Sequence, residues 1–311
     1  MSPTNGVNLS RIKYFNINDY VDKIKLDSNL LWHLEDTNKA FDDYIKLLQN
    51  LDKENVALFL KFAFQDEIKK SNQIEKHIIN PNDIDDKDIF YKSLNISHNR
   101  IKEMHKFALN SNKKSDYRTD IAWVGYYDKN DNPFIYWYGV EPEDIKKFME
   151  DFFEFYNKGS ISSINSNPFL KSALASLLFI RIHPFGDGNG RTGRLLYDMK
   201  FTEIINKLYE LKLKIAPLHI SNSILRTQQT YVKRIDDIYF DLEHDCNEEI
   251  NKWLDFCLNM TDEQIYFLSN CLKTNEKAFN SPSENSKREV KKLAKKISLN
   301  NKKGFITSFL L

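Results

Sequence analysis

The run from Phe169 to Ile182 is apolar on nearly every face. Phe169, Leu170, Ala173, Leu174, Leu177, Leu178, Phe179, Ile180 and Ile182 leave no polar stripe wide enough to face water. A helix that is apolar all round has to be surrounded by protein. The run is shorter than the roughly 18 residues a membrane span needs, and no other apolar run is longer. Asn167 supplies an N-cap and Pro168 suits the first helical position, so the helix is expected to start there. The rest of the chain must then wrap one central helix.

Its surroundings read as helical. Leu31, Leu34, Phe41, Tyr44, Leu47 and Leu48 recur at helical spacing. Val56, Leu58, Phe59, Leu60, Phe62 and Phe64 begin a second helix, which continues after a break through Ile68, Ile74 and Ile78 until Pro81 and Asn82 stop it. Residues 95–110 form another. Pro142 with Glu143 and Asp144 opens a helix carrying Ile145, Phe148, Met149, Phe152, Phe153 and Tyr156. An amphipathic helix follows from Leu195 to Leu208, and further helices cover about 220–239 and 247–272. One stretch differs. Residues 117–138 are rich in aromatic and β-branched types on either side of the polar cluster Asp128–Pro133, which predicts a β-hairpin. The expected fold is all-α with one inserted hairpin. Residues 1–94 form an N-terminal helical region, 95–260 a core, and 261–311 a C-terminal extension with a basic tail.

Between the central helix and the next lies His183-Pro184-Phe185-Gly186-Asp187-Gly188-Asn189-Gly190-Arg191-Thr192-Gly193-Arg194. The glycines let the backbone turn tightly and approach a ligand. A helix starting near Asn189 or Gly190 would aim its unpaired first N–H groups, and the positive end of its dipole, back into the loop. Arg191 and Arg194, three residues apart, share a helix face and suit a polyphosphate. Asp187 is an oxygen ligand for Mg²⁺. His183 is a candidate general base, because imidazole titrates near neutrality. Nucleotide phosphate transfer is the chemistry this set supports. A glycine-rich connection with ordinary salt bridges is the alternative. With no Gly-Lys-Ser/Thr and no preceding strand, the loop is neither a Walker loop nor a dinucleotide loop.

These twelve residues resemble the signature of the Fic family, His-x-Phe-x-Asp/Glu-Gly-Asn-Gly-Arg-x-x-Arg, with every defined position filled. Tyr117-Arg118-Thr119 followed by Trp123-Val124-Gly125 resembles the family's flap hairpin, and residues 30–80 resemble the helical region that often precedes its core. The resemblance spans roughly 30–260. It implies a protein adenylyltransferase that moves AMP from ATP to a Ser, Thr or Tyr hydroxyl of a protein and releases pyrophosphate. It further implies that His183 deprotonates the target and Phe185 anchors the loop. Asp187 would bind Mg²⁺, with Mn²⁺ as an alternative. Gly188, Asn189 and Gly190 would form the anion hole, Arg191 would contact phosphates and Arg194 the γ-phosphate. The flap (Tyr117, Arg118, Thr119, Trp123, Val124, Gly125) would hold a protein target, the chain itself included, by strand addition. Ser71 through Glu75 resembles the family's inhibitory helix, Ser/Thr-x-x-x-Glu-Gly/Asn, whose glutamate takes the last arginine of the signature, here Arg194. Lys76 stands where that pattern has Gly or Asn, so a helix continuing through Lys76, with weaker inhibition, is one expectation. Removal of AMP, transfer of another nucleotide or phosphate group, and a non-catalytic module binding DNA or a partner stay open beside the main reading.

Composition narrows the setting. A net charge of +1 gives no bulk attraction to nucleic acid or membranes, and 13% aromatic residues argue against disorder. Cys246, Cys257 and Cys271 lack metal spacing and are expected to be reduced thiols of a cytoplasmic protein. The N-terminus lacks a signal-like apolar stretch. The basic residues of 281–303 are expected to be solvated, with nucleic-acid binding as the alternative. His105, four residues from both Ile101 and Leu109, is expected to be a satisfied core histidine. Arg226 and Tyr231 lie where relatives form an adenine pocket, with packing an equal reading. Homo-oligomerisation stays open.

Overall fold

The computed structural model describes residues 14–76, 95–111, 115–157, 163–244, 246–275, 279 and 286–293. The helices are α1 (Ile17–Lys23), α2 (Ser28–Gln49), α3 (Lys53–Ile74), α4 (His98–Ala108), α5 (Ile145–Asn157), α6 (Ser163–Ser166), α7 (Pro168–Ile182), α8 (Asn189–Leu208), α9 (Ser221–Arg226), α10 (Gln228–His244) and α11 (Glu248–Thr274). Strands β1 (Trp123–Tyr127) and β2 (Pro133–Tyr138) form an antiparallel hairpin between α4 and α5. The fold is all-α with one hairpin. Two compact units divide the chain: Met1–Asp27, Lys87–Leu211 and Gln228–Leu254 make the first, and Ser28–Asp86, Lys212–Thr227 and Asp255–Leu311 the second.

The first unit is built on α7. The Asn167 side chain accepts from the N–H groups of Phe169 and Leu170, and every residue from Pro168 to Ile182 is buried. The aromatic stripe of α5 packs on it, with Phe152 and Phe179 ring centroids 5.8 Å apart. Lys171 survives in this interior by donating to the Phe155 carbonyl and lying 3.5 Å over the Phe155 ring. Burial, with the charge of Lys200, pushes its amine down to about 7. Helix α8 is closer to α7 than any side chain would permit at Gly193, where a Cβ would meet Ile180 Cγ1 at 2.7 Å. The amphipathic character expected of this helix does not hold. From Asn189 to Glu203 nearly every residue is buried, because α7 and α4 both pack on α8.

The helix expected over 220–239 is two helices. Thr227, at φ −118° and ψ 29°, caps α9 by donating to Ser223 and Ile224, and α10 runs on to His244. No glycine or proline announces the break.

The second unit holds α2, α3, α9 and the part of α11 from Asp255. Helix α3 is continuous, without the expected break. Glu67 interrupts the apolar pattern yet is buried, accepting from the Ser221 N–H at 3.1 Å and from the Ser221 hydroxyl. The helix ends at Ile74, and Lys76 takes φ 59°. The expected stop at Pro81 and Asn82 lies outside the described residues. Part of the basic tail packs rather than lying in solvent: residues 286–293 are helical, Val290 is fully buried, and Lys287 pairs with Glu54 at 2.9 Å. The three cysteines are free thiols. No helix among the described residues is long and apolar enough to cross a membrane.

One pairing in this unit depends on pH. His33 Nδ1 lies 2.6 Å from Asp255 and Nε2 lies 2.8 Å from Asp262, so the imidazolium would bridge two carboxylates of α11. Burial lowers the His33 pKa, but the hydrogen bonds and charges of the two aspartates outweigh it and the net shift is upward from 6.5. The stabilisation is therefore complete below about pH 6.5 and is lost as pH rises through the raised value. The aspartates are well exposed, so solvent screening limits the pair to about 0.5–1 kcal/mol. Urea titrations at pH 6 and pH 8.5 are expected to show that loss in the wild type and not in His33→Gln. An equal pH slope in both proteins would show that the bridge contributes nothing.

Candidate active site

Helix α7 delivers His183 in a left-handed turn. His183 caps the helix at φ 54° and ψ 56°, with its N–H on the Phe179 carbonyl. Its Nδ1 lies 3.2 Å from the Ile180 carbonyl, which can only accept, so Nδ1 carries the proton of the neutral ring and Nε2 is the accepting nitrogen. That is the tautomer a general base requires.

Phe185 turns the chain back into the core. It is 1% exposed, and its ring stacks on His105 at 3.9 Å, with Tyr117 at 5.4 Å and Phe179 at 6.3 Å. Asn189 brackets the Phe185 backbone, its Oδ1 accepting from the N–H at 3.0 Å and its Nδ2 donating to the carbonyl at 2.7 Å. The Asn189 side chain is thereby committed to the loop, so any anion contact it makes is through its backbone N–H.

His105 is a buried histidine with both nitrogens used. Nε2 donates to the Asp187 carbonyl at 2.7 Å, and Nδ1 pairs with the Ser115 hydroxyl at 2.7 Å. Burial lowers its pKa. It is a core histidine as expected, and in addition it props the loop. Four-residue spacing gave its apolar side; no sequence signal gives a partner 82 positions away.

Gly188 is the one loop glycine whose conformation demands glycine. Its φ is +78°, and a Cβ would meet Leu109 Cδ2 at 2.8 Å and His105 Nε2 at 3.0 Å. Gly186, by contrast, borders open space. Helix α8 starts at Asn189 with no side-chain cap. The N–H groups of Asn189, Gly190 and Arg191 thus have no carbonyl four residues back within the helix. Asp187 lies at the same end, 69% exposed, with Oδ1 on the Gly188 N–H at 2.6 Å and Oδ2 on Arg191 Nη2 at 2.9 Å. Arg191 and Arg194 are both buried, Arg194 at 1% exposure. An exposed carboxylate and an arginine thus meet at the start of α8, a short loop along the chain from His183, and Arg194 follows one turn on.

The hairpin passes beside His183. A Cβ on Gly139, just after β2, would stand 2.9 Å from His183 Cβ. Trp137 is buried on the inner side, 5.2 Å from the Arg181 guanidinium, while Tyr126, Tyr127 and Phe134 are exposed. Trp123 and Val124 are half-buried, and a register shift falls between Val124 and Gly125. Tyr117, Arg118 and Thr119 precede the strands. The Arg118 guanidinium donates to the carbonyls of His183, Asp120 and Val140. Tyr117 turns inward to His98 at 2.8 Å and to Phe185. Thr119 is exposed.

Ser71 and Glu75 belong to the second unit. Ser71 is buried in the last turn of α3, and Glu75 is its half-buried C-cap at φ −88° and ψ 13°. The helix does not continue through Lys76, which takes the left-handed conformation that Gly or Asn would favour. Tyr231 packs against Trp253 at 5.6 Å, and Arg226 pairs with Glu263.

The Fic/DOC family profile matches residues 95–199. Two curated relatives are named protein adenylyltransferase fic-1. The one from Caenorhabditis elegans is 29% identical over 41% of this chain and 24% of its own length. The one from Caenorhabditis briggsae is 28% identical over the same shares. The chain thus spans about a quarter of the length of these relatives. A Fic family protein from Desulfovibrio desulfuricans shares the fold, with a TM-score of 0.58, 14% identity, and coverage of 90% of this chain and 89% of that one.

Proposed function

We propose that this chain, whose residues 95–199 match the Fic/DOC family profile, transfers AMP from ATP to a hydroxyl of a protein, with residues 95–260 as the catalytic core. The observation that carries the reading is the pairing of a base-competent His183 tautomer with the uncapped start of α8 across one short loop. The target's Ser, Thr or Tyr oxygen attacks the α-phosphorus. A bond forms between them, the bond from the α-phosphorus to the bridging oxygen breaks, and pyrophosphate leaves. His183 Nε2 takes the hydroxyl proton. The N–H groups at the start of α8 and Arg191 stabilise the charge on the phosphates, and Arg194 holds the γ-phosphate.

Among the described residues no three His, Cys, Asp or Glu side chains gather into a metal site. A single exposed carboxylate, Asp187, fits Mg²⁺ bound mainly through substrate phosphates and water. When bound, Mg²⁺ or Mn²⁺ neutralises phosphate charge. The hairpin presents the protein target, this chain among the candidates, and the stacked Tyr126 and Phe134 rings give its outer face an apolar character.

Restraint by Glu75 belongs to the same proposal. Burial of Glu67, Lys70, Ser71 and Asn72 speaks against a merely solvent-facing helix end, and the left-handed Lys76 supplies the turn that the inhibitory pattern calls for. A carboxylate on Arg194 would exclude the γ-phosphate.

The test compares ATP labelled at the α- and at the γ-phosphate. Label from the α position is expected on the protein itself or on a lysate protein, and more of it in Glu75→Gly. Label arriving from the γ position alone would mean a kinase. No transfer from either position, even in Glu75→Gly, would point to another donor or to a binding module.

A further inference from the structure

We infer that Arg118 is the positioning residue that fixes His183 and ties it to the hairpin. This rests on the AMP-transfer reading of the site. Arg118 Nε donates to the His183 carbonyl at 2.7 Å, and Nη1 to the Asp120 carbonyl at 2.7 Å. Nη2 donates to the Val140 carbonyl, and the Arg118 backbone N–H to Pro184 at 3.0 Å. Three peptide oxygens thus converge on one planar fork, a geometry that a lysine amine cannot reproduce. Asp120 lies on the entry to the hairpin and Val140 on its exit. One guanidinium therefore joins both arms to the residue that carries the base. Val140 N–H closes the set on the Ile182 carbonyl at 3.3 Å.

The clamp has a conformation to hold. His183 at φ 54° is in a region where non-glycine residues persist only when their surroundings over-determine them. Releasing its carbonyl removes one of the contacts that hold this turn and frees the ring to move. Gly139 reports on the same clamp, since a Cβ there would press on Arg118 Nη2 at 2.7 Å and on His183 Cβ at 2.9 Å.

The experiment uses the full chain with α-labelled ATP and whichever acceptor the wild type labels, together with histidine labelled at ¹³Cε1 and the His183 resonance assigned through His183→Asn. Arg118→Ala is expected to lose about 100-fold in kcat, with KM for ATP held within about threefold. Millimolar guanidinium is expected to restore at least a tenth of the lost rate, and Arg118→Lys to fall between. The His183 resonance is expected to shift and broaden in Arg118→Ala and in Gly139→Ala. If Arg118→Ala does not fold, Gly139→Ala and Arg118→Lys carry the same test. Wild-type kcat in folded variants, or a loss without guanidinium rescue and with the His183 resonance unmoved, would overturn the clamp. Absence of α-label transfer in the wild type itself would overturn the AMP reading instead, and the resonance would still decide the clamp.

Discussion

His183→Ala is expected to lower AMP transfer by about 10²–10⁴-fold while leaving the chain folded. The size follows from the task. A protein hydroxyl is a weak nucleophile at neutral pH, and a base positioned on its proton contributes that factor. The remaining machinery, the α8 N–H groups and Arg191, does not depend on the imidazole, so a residual rate above background should survive. Folding should be spared because His183 is half-buried at the end of α7, whose packing is carried by its interior residues. Asparagine tolerates the left-handed φ of 54° better than alanine, which makes His183→Asn the cleaner control. Both variants should lose transfer equally, with His183→Asn unfolding within about 3 °C of the wild type. Neither should respond to guanidinium, which separates loss of the base from loss of its clamp. Wild-type transfer by His183→Asn would assign the proton to another group and dissolve the mechanism.

The parts of this site that sequence reveals are those fixed by local rules. Asn167 and Pro168 mark the start of α7 by capping chemistry, and the all-round apolar run beyond them leaves burial as its only outcome. The hairpin follows from β-branched and aromatic residues around a polar turn, which Asp128 closes by accepting from the N–H groups of Asn130 and Asn132. What sequence hides is set at long range. Arg118 reads only as one residue of the hairpin's approach, and nothing in the sequence pairs its Nε with the His183 carbonyl 65 positions on. A break is expected before Ile68, yet α3 runs through it, with Glu67 buried there on Ser221, 154 positions on. Thr227 divides two helices without a breaker residue, its backbone leaving the helical region at φ −118° and ψ 29°. Lys76 teaches the converse. Propensity disfavours a left-handed lysine by about 1–2 kcal/mol, yet the end of α3 imposes it. The left-handed backbone that Gly or Asn would favour is taken here by a lysine.

Phe185→Ala is expected to destabilise the first unit by about 3–5 kcal/mol and to abolish transfer with it. The ring is 1% exposed and lies against His105, Tyr117 and Phe179, so truncation removes the apolar burial and leaves a cavity that three aromatic neighbours cannot readily fill. The damage reaches further than packing. His105 stacks on Phe185 while donating to the Asp187 carbonyl, and Asn189 grips the Phe185 backbone from the first turn of α8. Loss of the ring therefore loosens at once the support under the proposed metal ligand and the start of the phosphate-binding helix. Phe185→Leu preserves most of the volume and should cost less than about 1.5 kcal/mol. If it folds well yet still transfers slowly, the stacked contact with His105 matters for loop geometry beyond its share of stability. Guanidinium-chloride unfolding and hydrogen exchange at Asp187 through Thr192 measure the two effects separately. Stability unchanged in Phe185→Ala would mean that the loop is held by its polar bracket alone. The ring would then not be the anchor that makes a glycine-rich turn rigid enough to keep a base and an anion site in register.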